Sequence, residues 1–453
     1  MAEVTQGATG DMAPDAPTRL RARRVAALVA AWLVTLMPIA LAQAPAQPAG
    51  EPGQGGRTFD VCSTCDHATI AAALAEAQDG DTVRVHPGTY AEGPLVIERS
   101  IVLEGVDWPV LDGELEHAIL TVAADHVVVR GLVLRDPGRS HVRDVAAIRV
   151  EEIGGCLIEG NRVENAFFGI YLAKSTACTV KDNVVTGRAE SEVFSGNAIH
   201  IWNGYEIRVL DNVVTGHRDG IYLEFALGNY VEGNVSEDNL RYGLHFMFSN
   251  ESEFRSNVFR RNGAGVAVMY SKRISMLGNR FVDNWGAAAY GLLLKDIDDS
   301  FVSGNVFEGN TAGVYIDNSN RTDLDRNDFV RNGYAIRVLS NSMGMRIVHN
   351  NFVANTFDVI TNADRSYNSF LENYWDAYEG YDLDRDGVGD VPYRPVRLFA
   401  LTLEAYPQSM LLLRSPLSQV MEYAERLLPI ITPKAIEDDR PLMGRIRWSS
   451  STP

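Results

Sequence analysis

Short alternating runs of apolar residues recur along two-thirds of the chain. Ile207-x-Val209, Ile274-x-Met276 and Met345-x-Ile347 each stand just before an asparagine. A polar corner follows, and then a second run, often opened by glycine: Gly169-Ile-Tyr-Leu, Gly220-Ile-Tyr-Leu, Gly243-Leu-His-Phe, Gly265-Val-Ala-Val and Gly313-Val-Tyr-Ile. Period-two alternation of β-branched and aromatic residues predicts short strands. No proline falls between Asn161 and Asn373, as central strands require. The asparagines belong to a tripeptide Asn-x-(Val/Phe/Ser) at Asn161, Asn183, Asn212, Asn234, Asn257, Asn279, Asn305, Asn327, Asn350 and Asn368, mostly 22 or 23 residues apart. A second asparagine marks the corner at Asn239, Asn262, Asn284, Asn310, Asn332 and Asn355.

A fixed period of this length predicts a solenoid in which each repeat buries its core against its neighbours. The L-x-x-L-x-L signature of leucine-rich repeats is missing, and each repeat has more than one strand run. The expected fold is therefore all-β, a right-handed parallel β-helix with an N-terminal cap and a C-terminal helical tail. Ladder asparagines of adjacent coils then stack about 4.8 Å apart at one corner. Asparagine tolerates the left-handed backbone of such corners, and its amide bonds along the stack.

Parity along the second run assigns side chains to faces. The residue after glycine points inward (Ile170, Ile221, Leu244, Val266, Leu292, Val314). The next forms an outward column: Tyr171, His200, Tyr222, His245, Ala267, Leu293, Tyr315, Arg337. Two residues on, a second outward column holds Ala173, Trp202, Glu224, Met247, Met269, Lys295 and Asp317. Met247 and Met269 fall on adjacent coils, and His245 shares their face. A thioether, thioether and imidazole set suits soft Cu(I), so these three residues are the candidate site for transient, open binding of copper. Ordinary packing under a loop or partner is the competing reading, because methionine fills irregular gaps. Met276 and Met345 read as core, and His217 and His349 as solvated corner residues.

A second metal motif is Asp382-Leu-Asp384-Arg-Asp386-Gly387-Val-Gly-Asp390. It puts carboxylates at relative positions 1, 3, 5 and 9 and glycine at position 6, like the start of an EF-hand calcium loop without the glutamate at position 12. Hard oxygens select Ca²⁺, and the expected role is structural. The alternative is an acidic turn without metal.

Residues 1–44 read as an export leader, with a membrane anchor as the alternative: Arg21-Ala-Arg-Arg24, an apolar stretch from Val25 to Leu41, and a small-x-small site at Ala42-Gln-Ala44. The further divisions are a flexible mature terminus (45–57), the β-helix (58–375), the acidic loop as a cap (376–396) and a partner-docking tail (397–453). That tail holds apolar, helix-compatible segments at Leu398–Leu413 and Ser418–Leu428, and a cap helix is expected at Ala68–Ala77. The formal charge is −18, which disfavours nucleic acid and anionic membrane. Cys62 and Cys65 suit a local disulfide, with a metal clip as the alternative. Cys156 and Cys178 face inward on adjacent coils and read as core packing.

Parallel β-helices often cleave or epimerise acidic polysaccharides, which requires clustered acids or bases. Here Glu224, Lys295, Asp317 and Arg337 are scattered singly. A carbohydrate-binding or polysaccharide-modifying enzyme is thus the alternative to a binding scaffold. The runs Tyr242–Ser249, Asn262–Ser271, Asn284–Lys295, Glu372–Asp376 and Tyr381–Pro395 resemble the NosD family, the periplasmic copper-maturation proteins of nitrous oxide reductase. The resemblance runs from about Thr58 to Met443. It implies a non-enzymatic role beside an ABC transporter with NosF as ATPase and NosY as membrane subunit. It further implies copper delivery to nitrous oxide reductase, a copper chaperone such as NosL as a further partner, and a periplasmic location held at the membrane through the transporter.

Overall fold

The computed structural model describes residues 55–140, 144–286, 289–413, 415–428 and 434–448. The predicted leader lies outside the described residues. From Thr58–Val61 to Tyr374–Trp375 the chain winds through short strands that pair only in parallel, each with the equivalent strand one coil away. Three sheets result, of 14, 13 and 12 strands among the described residues. The 12-stranded sheet, from Leu95–Ile97 to Phe357–Thr361, has the longest strands, up to six residues.

The interior is a stack of like residues. Phe259, Phe281, Phe307, Phe329, Phe352 and Trp375 are register partners in the 13-stranded sheet and are fully buried. Their rings lie 4.0–5.6 Å apart, close to the spacing of paired strands. Met276 and Met345 join this interior, as parity predicts.

The asparagine ladder satisfies the buried polar groups of one corner. From Asn183 onward each Oδ1 accepts both the backbone N–H and the side-chain amide of the asparagine one coil back, as Asn183 does from Asn161 at 3.0 and 3.1 Å. Each side-chain amide also donates to a strand carbonyl, as Asn257 does to Val231 at 2.9 Å. The last asparagine rung is Asn373, not Asn368. Asn368 serves another corner, where its Oδ1 accepts from Met345 N–H at 3.0 Å. The second ladder runs from Asn239 to Asn355 as predicted.

Both ends of the solenoid are capped. At the start, α1 (Ile70–Glu76) buries Ile70 and Ala73. Thr69 Oγ1 accepts from Ala72 N–H, and the Glu92 carboxylate accepts from Ile70 and Ala71 N–H at 2.7 and 2.8 Å, so the first turn's free donors are met. A disulfide joins Cys62 to Cys65 just before it. Cys156 and Cys178 are also disulfide-bonded, where packing alone was expected; parallel register brings their Cα atoms to 4.5 Å.

The segment after the last coil divides in two. Helices α2 (Leu398–Ala405) and α3 (Pro416–Leu427) lie against the end of the 12-stranded sheet, where Phe399 meets Phe357 at 6.3 Å. Residues 434–448 return to the solenoid and close its open edge through pairings of Asp438 with Phe370 and Leu442 with Tyr374. The tail expected as one docking segment is thus part helical pair and part cap. No helix among the described residues is long and apolar enough to cross a membrane.

Candidate functional site

The outer face of the 12-stranded sheet carries both predicted columns in the expected register. Tyr171, His200, Tyr222, His245 and Ala267 are successive partners, and so are Trp202, Glu224, Met247, Met269 and Lys295. A third column lies beside them and breaks simple parity. Gly220 faces the interior: a Cβ there would sit 2.0 Å from Ser236 Oγ and 2.6 Å from the Gly243 carbonyl. Ile221 is buried in the core as well, so two consecutive residues face inward and Asp219, before them, meets the outward side chains. Asn197, Asp219 and Tyr242 are register partners in this third column.

The His and Tyr column faces outward yet is closed to water. His200, Tyr222 and His245 are 8%, 9% and 5% exposed. Their rings stack along the coils, with centroids 4.8 Å apart for His200 and Tyr222 and 4.6 Å for Tyr222 and His245. Tyr242 closes on His245 from the third column at 4.9 Å. The open imidazole expected at position 245 is therefore corrected to a buried one, because neighbouring rings cover it. Burial, helped by the charge of Arg218, holds the His200 imidazole down to about 3, so it stays neutral.

Asp219 is fully buried beneath this stack. Arg241 donates from Nε to Asp219 Oδ1 at 2.8 Å and from Nη2 to Oδ2. Burial opposes ionisation of this carboxyl, but the hydrogen bonds and charge of Arg241 prevail and hold it well below the usual carboxylate range. Asp219 Oδ2 lies 3.5 Å from His245 Nδ1. Both ring nitrogens of His245 are buried; Nδ1 has only this longer contact with Asp219, and Nε2 has no hydrogen-bond partner.

Met247 and Met269 are direct register partners, half-buried, between Glu224 and Lys295. Each is followed by a half-exposed aromatic. Phe225, Phe248 and Tyr270 stack at 5.2 and 5.0 Å with positive φ angles, an uncommon conformation for bulky side chains. The structure thus brings the two methionines side by side and puts His245 on the same strand as Met247.

In the acidic loop, oxygens of Asp382, Asp384 and Asp386 lie within 4.8 Å of one another. Asp382 accepts from Arg385 and Gly387 N–H at 2.6 and 2.9 Å, and Gly387 takes the positive φ that the bend requires. The spacing and the hard donor set fit one Ca²⁺. Asp390 stands outside this group, its Oδ2 accepting from Leu383 N–H at 2.7 Å.

His217 is buried rather than solvated, and burial holds its imidazole down to about 4. His349 meets a carboxylate at each ring nitrogen, Asp325 at 3.0 Å and Glu372 at 3.1 Å. Of the residues considered for sugar chemistry, Arg337 is bound by Glu404 of α2 at 2.8 Å, and Asp317 accepts from Asn341 at 2.8 Å. Sequence parity missed Asp219, Arg241 and Tyr242. Their signal is the glycine after Asp219 and Tyr242, whose missing side chain lets the strand turn two residues inward.

The α2–α3 region exposes a run of large apolar side chains. Leu411 is 91% exposed, and Val420 and Tyr423 on α3 are each 64% exposed. Leu417 and Leu427 extend the same helix with exposed apolar side chains.

A family model described as "Periplasmic copper-binding protein (NosD)" matches residues 189–380, which include all three columns around His245. A relative from Pseudomonas aeruginosa named "Probable ABC transporter binding protein NosD" is 32% identical over 403 residues, covering 83% of this chain and 92% of the relative. A relative of the same name from Stutzerimonas stutzeri is 32% identical over 377 residues, covering 80% and 86%. Among solved structures, the A-module of the Azotobacter vinelandii mannuronan C-5 epimerase AlgE4 aligns with a TM-score of 0.46 at 17% identity, covering 68% of this chain and 89% of that one. With this identity across nearly the whole of its relatives, the chain belongs to the NosD family.

Proposed function

We propose that this chain is a periplasmic accessory protein that carries copper for nitrous oxide reductase, working with an ABC transporter made of NosF and NosY and with a copper chaperone such as NosL. It performs no chemistry of its own, and ATP is hydrolysed on NosF. Copper is its cargo, held for transfer as Cu(I) by Met247, Met269 and His245. Thioethers are soft ligands that do not form disulfides in an oxidising compartment, where the two disulfides of this chain belong.

One observation carries the copper reading. His245 buries Nε2 with no protein partner, on the strand that presents Met247, while its Nδ1 faces Asp219. A buried polar atom left unpaired costs about 1–3 kcal/mol, which a bound ligand removes. His200 and His217 also leave Nε2 buried without a partner, and what sets His245 apart is the pair Met247 and Met269 on its own strand and the next.

The docking surface on the transporter's membrane subunit is the α2–α3 region, whose exposed leucines, valine and tyrosine are typical of an interface core. The acidic loop holds Ca²⁺ through Asp382, Asp384 and Asp386, with Asp390 bracing the loop from Leu383, and stiffens the cap. A strain carrying the chain with His245, Met247 and Met269 all replaced by Leu tests the copper reading in the cell. The reductase should be made but remain poor in copper. A fully loaded reductase would overturn it.

A further inference from the structure

We infer that Asp219 is a positioning residue for the copper site, fixing His245 in the tautomer that carries its proton on Nδ1 and leaves Nε2 bare for the metal. This rests on the copper reading of His245 given above. An ionised carboxylate only accepts hydrogen bonds, so a ring nitrogen held against it is favoured as N–H. Asp219 Oδ2 faces Nδ1 at 3.5 Å, and Asp219 itself is held in place. Arg241 binds both its oxygens, Tyr242 N–H reaches Oδ1 at 3.3 Å, and Arg218 Nε lies 3.9 Å from Oδ2.

The ring has little freedom to turn away. Tyr222 stacks on it at 4.6 Å and 20°, and Tyr242 packs at 4.9 Å and 56°. Nε2 is then the nitrogen with a bare lone pair, buried and with no partner inside the protein. Metal-binding histidines commonly direct the other ring N–H to a carboxylate, which sets the ring's orientation and raises its basicity. The same arrangement assigns Arg241 a role one step further out, holding both oxygens of Asp219 in place.

Long-range ¹H–¹⁵N spectra of the copper-free protein, with labelled histidine and His245→Gln for assignment, read the tautomer directly. The wild type should show protonated Nδ1 and bare Nε2, and addition of Cu(I) alone should shift the Nε2 signal. Asp219→Asn should lose the tautomer preference and weaken Cu(I) binding about 10- to 100-fold. Protonated Nε2 in the wild type, or undiminished Cu(I) affinity in Asp219→Asn, would overturn the inference. The wild-type spectrum decides even if that variant folds poorly. Ring signals that are correctly protonated but unmoved by Cu(I) would instead overturn the copper reading itself, and with it any ligand role for the ring.

Discussion

Asp438 Oδ2 accepts a hydrogen bond from Trp375 Nε1 at 3.0 Å, in a position closed to water. The same oxygen accepts the backbone N–H of Asn373 at 3.1 Å and its side-chain amide at 3.0 Å. A carboxylate from the returning tail therefore acts as the final rung of the asparagine ladder. Asp438→Ala would leave several buried donors unpaired and should destabilise the chain by about 3 kcal/mol or more. Thermal denaturation should show a clear fall in melting temperature. An unchanged melting temperature would mean that the cap contributes nothing to the solenoid.

Asp358 gives the protein a pH dependence of defined sign. It is buried at the end of the 12-stranded sheet, near Asn355, Asp376, Tyr393 and Arg397. Burial, with the charge of Asp376, pushes its carboxyl up to about 7. The folded state keeps this proton where the unfolded chain has released it, so stability falls as pH rises from about 4 to about 7 and stays lower above. Asp358→Asn should therefore gain on the wild type across that range, by at most about 4 kcal/mol. Urea denaturation at pH 4.5 and at pH 8, conditions chosen to bracket the change, should give different offsets between the two proteins (roughly that magnitude at most). A constant offset would contradict the assignment.

Calcium should stabilise the cap. Excess Ca²⁺ should raise the melting temperature of the wild type by linkage, and the double change Asp384→Ala with Asp386→Ala should abolish the rise. No shift in the wild type, or an equal shift in the variant, would make the loop an ordinary acidic turn.

The exposed face of α3 should be dispensable for folding and required for assembly. Replacing Leu417, Val420, Tyr423 and Leu427 by Ser should leave the melting temperature within a degree or two (roughly, as for surface changes) and abolish co-purification with NosF and NosY. Deleting all of 398–443 is a poorer test, because it also removes Asp438. Undiminished co-purification of the Ser variant would move the interface onto the solenoid.

Much of the fold was legible because a parallel solenoid repeats one geometry. Each coil rises by one strand spacing, so the same residue types return at the same place, and parity then separates inside from outside. The outward columns through His245 and Met247 follow from this alone. Asn368 misled because it too opens an Asn-x-Phe run, yet it stands 18 residues after Asn350 whereas Asn373 stands 23 after it. Asp219 was hidden because an inward glycine breaks parity. The burial of His245 was hidden because it depends on which rings stack above, below and beside it. Asp438 was beyond reach, since a rung supplied 65 residues downstream carries no periodic signal.

The central claim, a Cu(I) site at His245, Met247 and Met269, is tested most directly by Cu(I) titration of the purified chain without partners, under a competing chelator. The wild type should bind one Cu(I) that the chelator does not remove. The variant with all three residues replaced by Leu should keep its melting temperature and lose that ion. Equal Cu(I) retention by the two proteins, both folded, would contradict the account.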